Sequence, residues 1–300
     1  MKRKGKENSY YPVVRVLISL SIIMTMLAGA YITPRRFELT KTEIAIAGLP
    51  REFDGLRIIQ ISDLHLGSWN NKYSKLVPII NIVNAQNADI LVFTGDMVNN
   101  YAEEADGWQP YFLQLRAKSA KFAILGNHDY GDYTEWRTSA ERNNNKLEIQ
   151  KAIRGFGFRL LNNDHIVLKK DTSILDIIGV ENWGKSEKWR YSNLKKALSG
   201  CKPEEIKILL AHDPNEWDAE VKDKTNIVLT LSGHTHAAQL GLKVGHKLFS
   251  PAAFVFKHYA GLYSENNQYL YVNRGIGYIG LPMQIGVRPE ISLIVLKSKP

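Results

Sequence analysis

Short apolar runs alternate along the chain with amphipathic stretches of helical period. The runs at 56–62 (LRIIQIS), 90–94 (ILVFT) and 122–125 (FAIL) are rich in β-branched or aromatic side chains, and each ends in a polar or glycine turn. That pattern predicts buried strands. Between the first two, Leu76, Ile79, Ile80 and Val83 recur at helical spacing over 73–84, and further amphipathic stretches fall near 108–115 and 147–156. More strands are expected at 166–169, 174–179, 206–211, 227–231, 269–273 and 291–296. Strands alternating with helices predict an α/β domain on packed sheets. No internal repeat is visible, which excludes a solenoid.

The N-terminal pattern is different. Residues 16–32 (VLISLSIIMTMLAGAYI) carry no charge and follow the basic residues Lys2, Arg3, Lys4, Lys6 and Arg15. A membrane-spanning helix needs about 17–25 apolar residues. Ala28-Gly29-Ala30 also reads as a cleavage site, so residues 1–33 form either a membrane anchor or a removable signal segment. The run exceeds a usual signal-peptide core of roughly 7–15 residues, which favours the anchor. Fewer basic residues follow the run than precede it, so the positive-inside rule places the rest of the chain outside the cytoplasm. Secretion after cleavage is the alternative. Residues 34–50 read as a linker with one strand at 43–47, and residues 51–300 as one domain.

Hydrophobic content of 44% and charged content of 23% are ordinary for a globular chain and exclude general disorder. The net charge of +9 suits anionic surfaces or substrates. Cys201 stands alone, which excludes a disulfide framework and, with no cysteine after the apolar run, a lipoprotein anchor.

The chemistry lies in where histidines and carboxylates fall. Asp63 and His65 follow the first strand, Gly95-Asp96 the second, and Gly126-Asn127-His128-Asp129 the third; His212 follows IKILLA, and Gly233-His234-Thr235-His236 follows IVLTLS. In open α/β sheets ligands gather at the carboxyl ends of strands, so five separated segments can converge on one crevice. Each fragment alone is common by chance; all five, each just past a strand, are not. Imidazole and carboxylate donors suit Mn, Zn or Fe. A carboxylate such as Asp96 can serve two cations about 3.5–4 Å apart, an arrangement that clamps a phosphoryl group. His128 would then be left as proton donor to the leaving oxygen, with Asp129 setting its tautomer.

This ordered set resembles the calcineurin-like metallophosphoesterases across 51–300. The resemblance implies a four-layer αββα sandwich and two divalent metal ions. It implies one metal held by Asp63, His65, Asp96 and His236, a second by Asp96, Asn127, His212 and His234, and His128 as the non-ligating catalytic histidine. Phe53-Asp54-Gly55-Leu56-Arg57, Ser62-Asp63-Leu64-His65-Leu66-Gly67, Asn273-Arg274-Gly275-Ile276-Gly277 and Arg288-Pro289-Glu290-Ile291 are similar to a membrane-anchored or exported bacterial branch related to UDP-2,3-diacylglucosamine pyrophosphohydrolases of lipid A synthesis. Ala237-Ala238 stands where that branch has Gly-Gly, and Asp213 where Asn is frequent.

The expected activity is therefore metal-assisted hydrolysis of a phosphoester or pyrophosphate bond, on a lipid-linked substrate. A general phosphodiesterase or nuclease is the rival enzyme, although no long basic stripe interleaved with aromatics favours nucleic acid. A non-catalytic scaffold is the rival outside enzymes, and the full ligand set speaks against it. Arg274 and Arg288 are candidates for substrate phosphate, with surface ion pairs as the alternative. His165, His246 and His258 read as structural. Trp183, Trp189 and Tyr191, with Lys185, Lys188 and Arg190, read as a solvated loop or as an interfacial lid.

Overall fold

The computed structural model describes residues 11–33, 36–245 and 247–299. The basic N-terminal cluster up to residue 10, Arg35 and His246 thus lie outside the described residues. Among the described residues fourteen strands form: β1 (Glu38–Ala47), β2 (Arg57–Ile61), β3 (Ile90–Phe93), β4 (Ala120–Ala123), β5 (Arg159–Leu160), β6 (Asp164–Lys170), β7 (Ser173–Gly179), β8 (Ile206–Leu210), β9 (Ile227–Ser232), β10 (Leu242–Val244), β11 (Lys247–Phe249), β12 (Gly261–Glu265), β13 (Gln268–Val272) and β14 (Glu290–Lys299). The helices are α1 (Tyr11–Tyr31), α2 (Leu76–Ala85), α3 (Gln109–Phe112), α4 (Ser139–Gly155) and α5 (Leu194–Ala197).

Two six-stranded mixed sheets result, ordered β1-β14-β2-β3-β4-β5 and β12-β13-β9-β8-β7-β6, and β10-β11 is a separate hairpin. Alternation with period two assigns each strand residue to a layer. Ile58, Ile90, Val92 and Phe122 from one sheet meet Ile177, Ile208, Leu210 and Leu229 from the other in the central core. Their neighbours Ile59, Ile61, Leu91 and Phe93 turn outward against Leu76, Ile79 and Val83 of α2 and Ile149 and Ile153 of α4. Ile178, Leu209 and Leu270 face α5 and Trp217 on the far side. Strands buried on both faces read as continuous apolar runs, which is why the sequence marked them so clearly. The four-layer α/β architecture holds.

Three boundaries moved. The strand assigned to a linker is β1, which pairs in parallel with β14 along all ten residues. Its Ile44 and Ile46 are in the central core, so the first sheet begins well before residue 51. Helix α4 starts eight residues ahead of its apolar stripe, because Thr138 accepts from the Glu141 backbone N–H and caps a polar first half. The third strand lies two residues earlier than expected, over Ala120–Ala123.

Within α1, Val13–Ala30 is long and apolar enough to cross a membrane, and its side chains are almost wholly exposed. The helix is tied to the domain at its end, where the Gln284 backbone N–H donates to Gly29 O at 2.9 Å.

Candidate metal centre

The parallel strands β2, β3 and β4 in one sheet and β8 and β9 in the other carry the chemistry-bearing loops at their carboxyl ends. Gln60 ties the sheets together there, its Nε2 donating to Thr94 Oγ1 at 3.0 Å and to Ser232 O at 2.9 Å. The glycines of the motifs allow the loops to close. A Cβ on Gly95 would lie 2.5 Å from Gly126 N and 2.7 Å from His212 Nδ1, so only glycine fits.

Asp63, His65 and His236 form one group of potential ligand atoms, and Asp96, His212 and His234 another, each within 4.8 Å of one another. His65 Nε2 is 3.0 Å from His236 Nε2, and His236 Nε2 is 3.4 Å from Asp63 Oδ1. Asp96 Oδ2 is 3.6 Å from His65 Nε2 and 3.2 Å from His212 Nε2, so one carboxylate oxygen reaches both groups. Asn127 Oδ1 is 2.9 Å from His212 Nε2 and joins the second group.

The far sides of the imidazoles set their orientation. His65 Nδ1 donates to Asn99 Oδ1 at 3.0 Å and His212 Nδ1 to Thr94 O at 2.7 Å. Protons held on Nδ1 direct Nε2 inward, the tautomer a metal-binding imidazole needs. Five of these residues (Asp63, His65, Asp96, His234 and His236) have φ between 48° and 74°. Left-handed backbone costs a non-glycine residue on the order of 1–3 kcal/mol and persists where the surroundings over-determine it.

Electrostatics follows from burial. His65 and His236 are pushed down to about 4, chiefly because burial disfavours an imidazolium, and His234 is lowered for the same reason. At His212 burial acts the same way, but the carboxylates of Asp96 and Asp63 outweigh it and push the group up to about 10. Burial opposes ionisation of Asp96 too, yet His212, His128 and His65 hold it well below the usual carboxylate range. Imidazole nitrogens facing each other and two buried carboxylates form a donor set that fits a pair of divalent cations. A proton and a cation compete for the same nitrogen lone pair.

His128 stands at the edge of this set. Its ring meets His65 edge-on at 4.9 Å and stacks on Tyr133 at 4.4 Å, and its backbone N–H donates to Asp96 Oδ1 at 2.9 Å. Its Nδ1 donates to Asn99 O at 2.7 Å, so Asn99 rather than Asp129 sets its tautomer. This corrects the role expected of Asp129. That carboxylate instead accepts from the backbone N–H groups of Asp96, Met97, Val98 and Gly126 at 2.8 to 3.2 Å, lacing the β3 and β4 loops together. Burial and the nearby Asp96 charge push it up to about 7.

Of the two arginines expected at substrate phosphate, Arg274 is engaged elsewhere and Arg288 lies outside the cleft. Arg274 is buried, with Nε donating to Glu290 at 2.7 Å and Nη2 to Glu38 at 3.0 Å, which ties the β13–β14 connection to β1. Arg288 is exposed and lines none of the cleft described next. A cleft of about 420 Å³ opens beside the second group, walled by Asn127, Tyr133, Trp189, Asp213, His234 and Phe256. Trp189 thus belongs to a cleft wall, whereas Tyr191 stacks on Tyr130 and hydrogen-bonds Asp132. His165 and His258 are structural, bonded to Ala197 O and paired with Asp218. Ala237 and Ala238, standing where glycines were expected, adopt φ of 46° and 51°.

Sequence reasoning missed Asn99 and Tyr133. Both sit in loops, and neither ligand spacing nor apolar periodicity marks them.

Residues 56–238 match the calcineurin-like phosphoesterase family. The chain is 32% identical over 294 residues to a transmembrane protein with metallophosphoesterase domain from Danio rerio, covering 93% of this chain and 62% of that one. A protein of the same name from Bos taurus is 27% identical, over 99% of this chain and 65% of its own. An uncharacterized metallophosphoesterase of Bacillus subtilis (strain 168), YkuE, is 30% identical over 89% of this chain and 88% of its own. The chain spans under two thirds of the length of the two vertebrate relatives. Motifs, sheets and the matched region agree: the chain belongs to the calcineurin-like phosphoesterase family.

Proposed function

We propose that the protein is a dinuclear metal-dependent hydrolase of phosphoester or phosphoanhydride bonds. The observation that carries this is the position of Asp96 Oδ2, within reach of His65 on one side and His212 on the other. Asp63, His65, Asp96 and His236 would hold one cation, and Asp96, Asn127, His212 and His234 the other. Cations there would supply positive charge to the phosphoryl oxygens and acidity to a water. His128 lies beside both groups, and its Nδ1 proton is held by Asn99 O, so Nε2 is the atom that takes up a proton from solvent and passes it to the leaving oxygen. The aromatic walls of the cleft hold the organic part of the substrate and keep bulk water out.

The reading extends to location and substrate. Helix α1 anchors the chain in a membrane, with the domain on the extracytoplasmic side, and residues 38–299 form the hydrolase unit. A lipid-linked phosphoester or pyrophosphate, of the UDP-diacylglucosamine kind, is supported by the apolar helix, the net charge of +9 and the aromatic cleft. Elemental analysis of the purified chain tests the cation pair. Turnover of bis-p-nitrophenyl phosphate, UDP-diacylglucosamine and single-stranded DNA, compared side by side, tests the substrate. A preference for DNA with steep salt dependence would replace the lipid reading by a nuclease.

A further inference from the structure

We propose that the hairpin β10–β11, with the segment 250–255 after it and the loop at Leu281, is a second membrane contact that seats the catalytic cleft on the bilayer entered by α1. The proposal rests on the anchor reading of α1 and adds a surface that reading does not contain.

The hairpin has an unusual face. Leu242 pairs directly with Phe249 and Val244 with Lys247, so Leu242, Val244 and Phe249 share one side. Leu242 is 66% exposed and Phe249 57%. Phe254, a few residues on, is 94% exposed, and Leu281 is 66% exposed. Single exposed apolar residues are ordinary, but a run of them on neighbouring segments marks a contact surface. A two-stranded hairpin is marginal in water by itself, and this one belongs to neither large sheet.

What covers this face follows from what it is attached to. Leu240, at the hairpin's base, bridges to Ile285 in parallel, and the Gly241 backbone N–H donates to Ile285 O at 2.9 Å. Ile285 also packs on the end of the anchor, where a Cβ on Gly29 would lie 2.6 Å from Ile285 Cγ1. The neighbouring Gln284 N–H closes the bond to Gly29 O already described. Gln239 Nε2 donates to Leu281 O at 3.1 Å, which fixes the Leu281 loop to the same base. The base of the hairpin is therefore joined to the end of α1 through a single intervening segment, Gln284–Ile285. A second copy of the chain would need no such attachment, whereas a bilayer surface is held against this face by α1 itself. Lys247 shares the hairpin's apolar side and suits a headgroup layer with anionic lipids.

The surface leads to the chemistry. Val255 and Phe256 line the cleft, and the Phe256 ring meets His234 edge-on at 5.4 Å. Seating 242–254 at the acyl boundary, roughly 5–10 Å below the headgroups, would open the cleft mouth toward a substrate that never leaves the bilayer.

The test uses the full chain with Cys201→Ser, reconstituted into phosphatidylcholine vesicles containing phosphatidylglycerol. A fluorophore is attached at single cysteines: Phe254→Cys, Leu242→Cys, Leu281→Cys, Leu113→Cys on another part of the surface, and Leu20→Cys in the middle of α1. Turnover of bis-p-nitrophenyl phosphate verifies that each variant is folded. Nitroxide lipids labelled high on the acyl chain should quench 254, 242 and 281 and spare 113, while deep-labelled lipids quench position 20. Quenching at 20 with none at 254, 242 or 281 would overturn the docking and leave the anchor standing. Loss of signal at 254 that follows protein density rather than nitroxide lipid would assign the face to a second copy and also overturn it. No quenching at 20 would remove the anchor reading, and the docking with it.

Discussion

Residues 233–239 and 240–254 follow one another out of β9 and obey opposite rules. The first stretch places half-buried His234 and buried His236 in left-handed backbone beside Asp63, with the His234 N–H donating to that carboxylate at 3.0 Å. The second opens on the exposed apolar face of β10–β11, joined at its base to Ile285, and is tied back to the domain by polar atoms, Ser250 Oγ donating to Ala237 O and Tyr259 OH to Leu248 O. Strain survives in the first because hydrogen bonds and burial leave the loop no alternative. Apolar exposure in the second requires a covering phase, since water disfavours it by roughly 25 cal/mol per Å². One loop is organised by the protein's own polar groups; the other is organised, on the docking proposed above, by its surroundings.

Substitutions on the caged side should therefore cost most. Asp96→Ala removes the carboxylate shared by both groups. Turnover should fall on the order of a thousandfold or more, with loss of bound cation on elemental analysis. Retained metal and activity would dissolve the pair into unrelated polar loops. His128→Ala should keep its metal yet lose about 10²–10⁴-fold on an alkyl phosphodiester, and much less on a p-nitrophenyl ester whose leaving group needs no proton. An equal loss on both esters would deny His128 the proton-donor role.

Asp129→Ala asks whether the cage is built by backbone donors. It orphans four backbone N–H groups, each costing about 1–3 kcal/mol, and urea unfolding should show a drop of several kcal/mol. Asp129→Asn, which keeps an acceptor, should lose less.

Glu216, in the loop after β8, extends the comparison to a buried carboxyl that accepts from Ser192 Oγ. Burial and then the Asp213 and Glu220 charges push it up to about 8 from an ordinary 4.5. The folded chain thus holds a proton that the unfolded chain releases between those values. Its stabilising effect is complete below the lower value and is lost as pH rises, at no more than about 1.4 kcal/mol per pH unit. Glu216→Gln should match the parent's melting temperature near pH 5 and exceed it near pH 8; equal curves at both would refute the buried carboxyl's role.

The smallest effect belongs to the exposed side. Leu242→Ser in detergent should change stability by no more than about 0.5 kcal/mol, because most of the residue already faces solvent. A larger loss by urea titration would mean that the hairpin face is folded against the protein after all.

How far the chain's own text could be read differs from region to region. The central strands were legible because burial on both faces leaves unbroken runs of Ile, Leu and Val, and ligand motifs stood just past their ends. Polar α4 was legible only in its second half, since its first half is stabilised by a cap instead of a buried stripe. The hairpin β10–β11 and the strand β12 carry no apolar period that separates them from loops.

Residue order alone determined the layered α/β class, the apolar N-terminal helix and the set of segments able to meet at one edge, because periodicity and spacing are local properties. Tertiary structure decided that β1 joins the first sheet, that Arg274 pairs with Glu38 and Glu290, and that Asn99 rather than Asp129 holds His128. Those are choices among partners far apart in sequence. They are settled by which polar group can reach which once two sheets have closed on a common core, and no pattern along the chain records that distance.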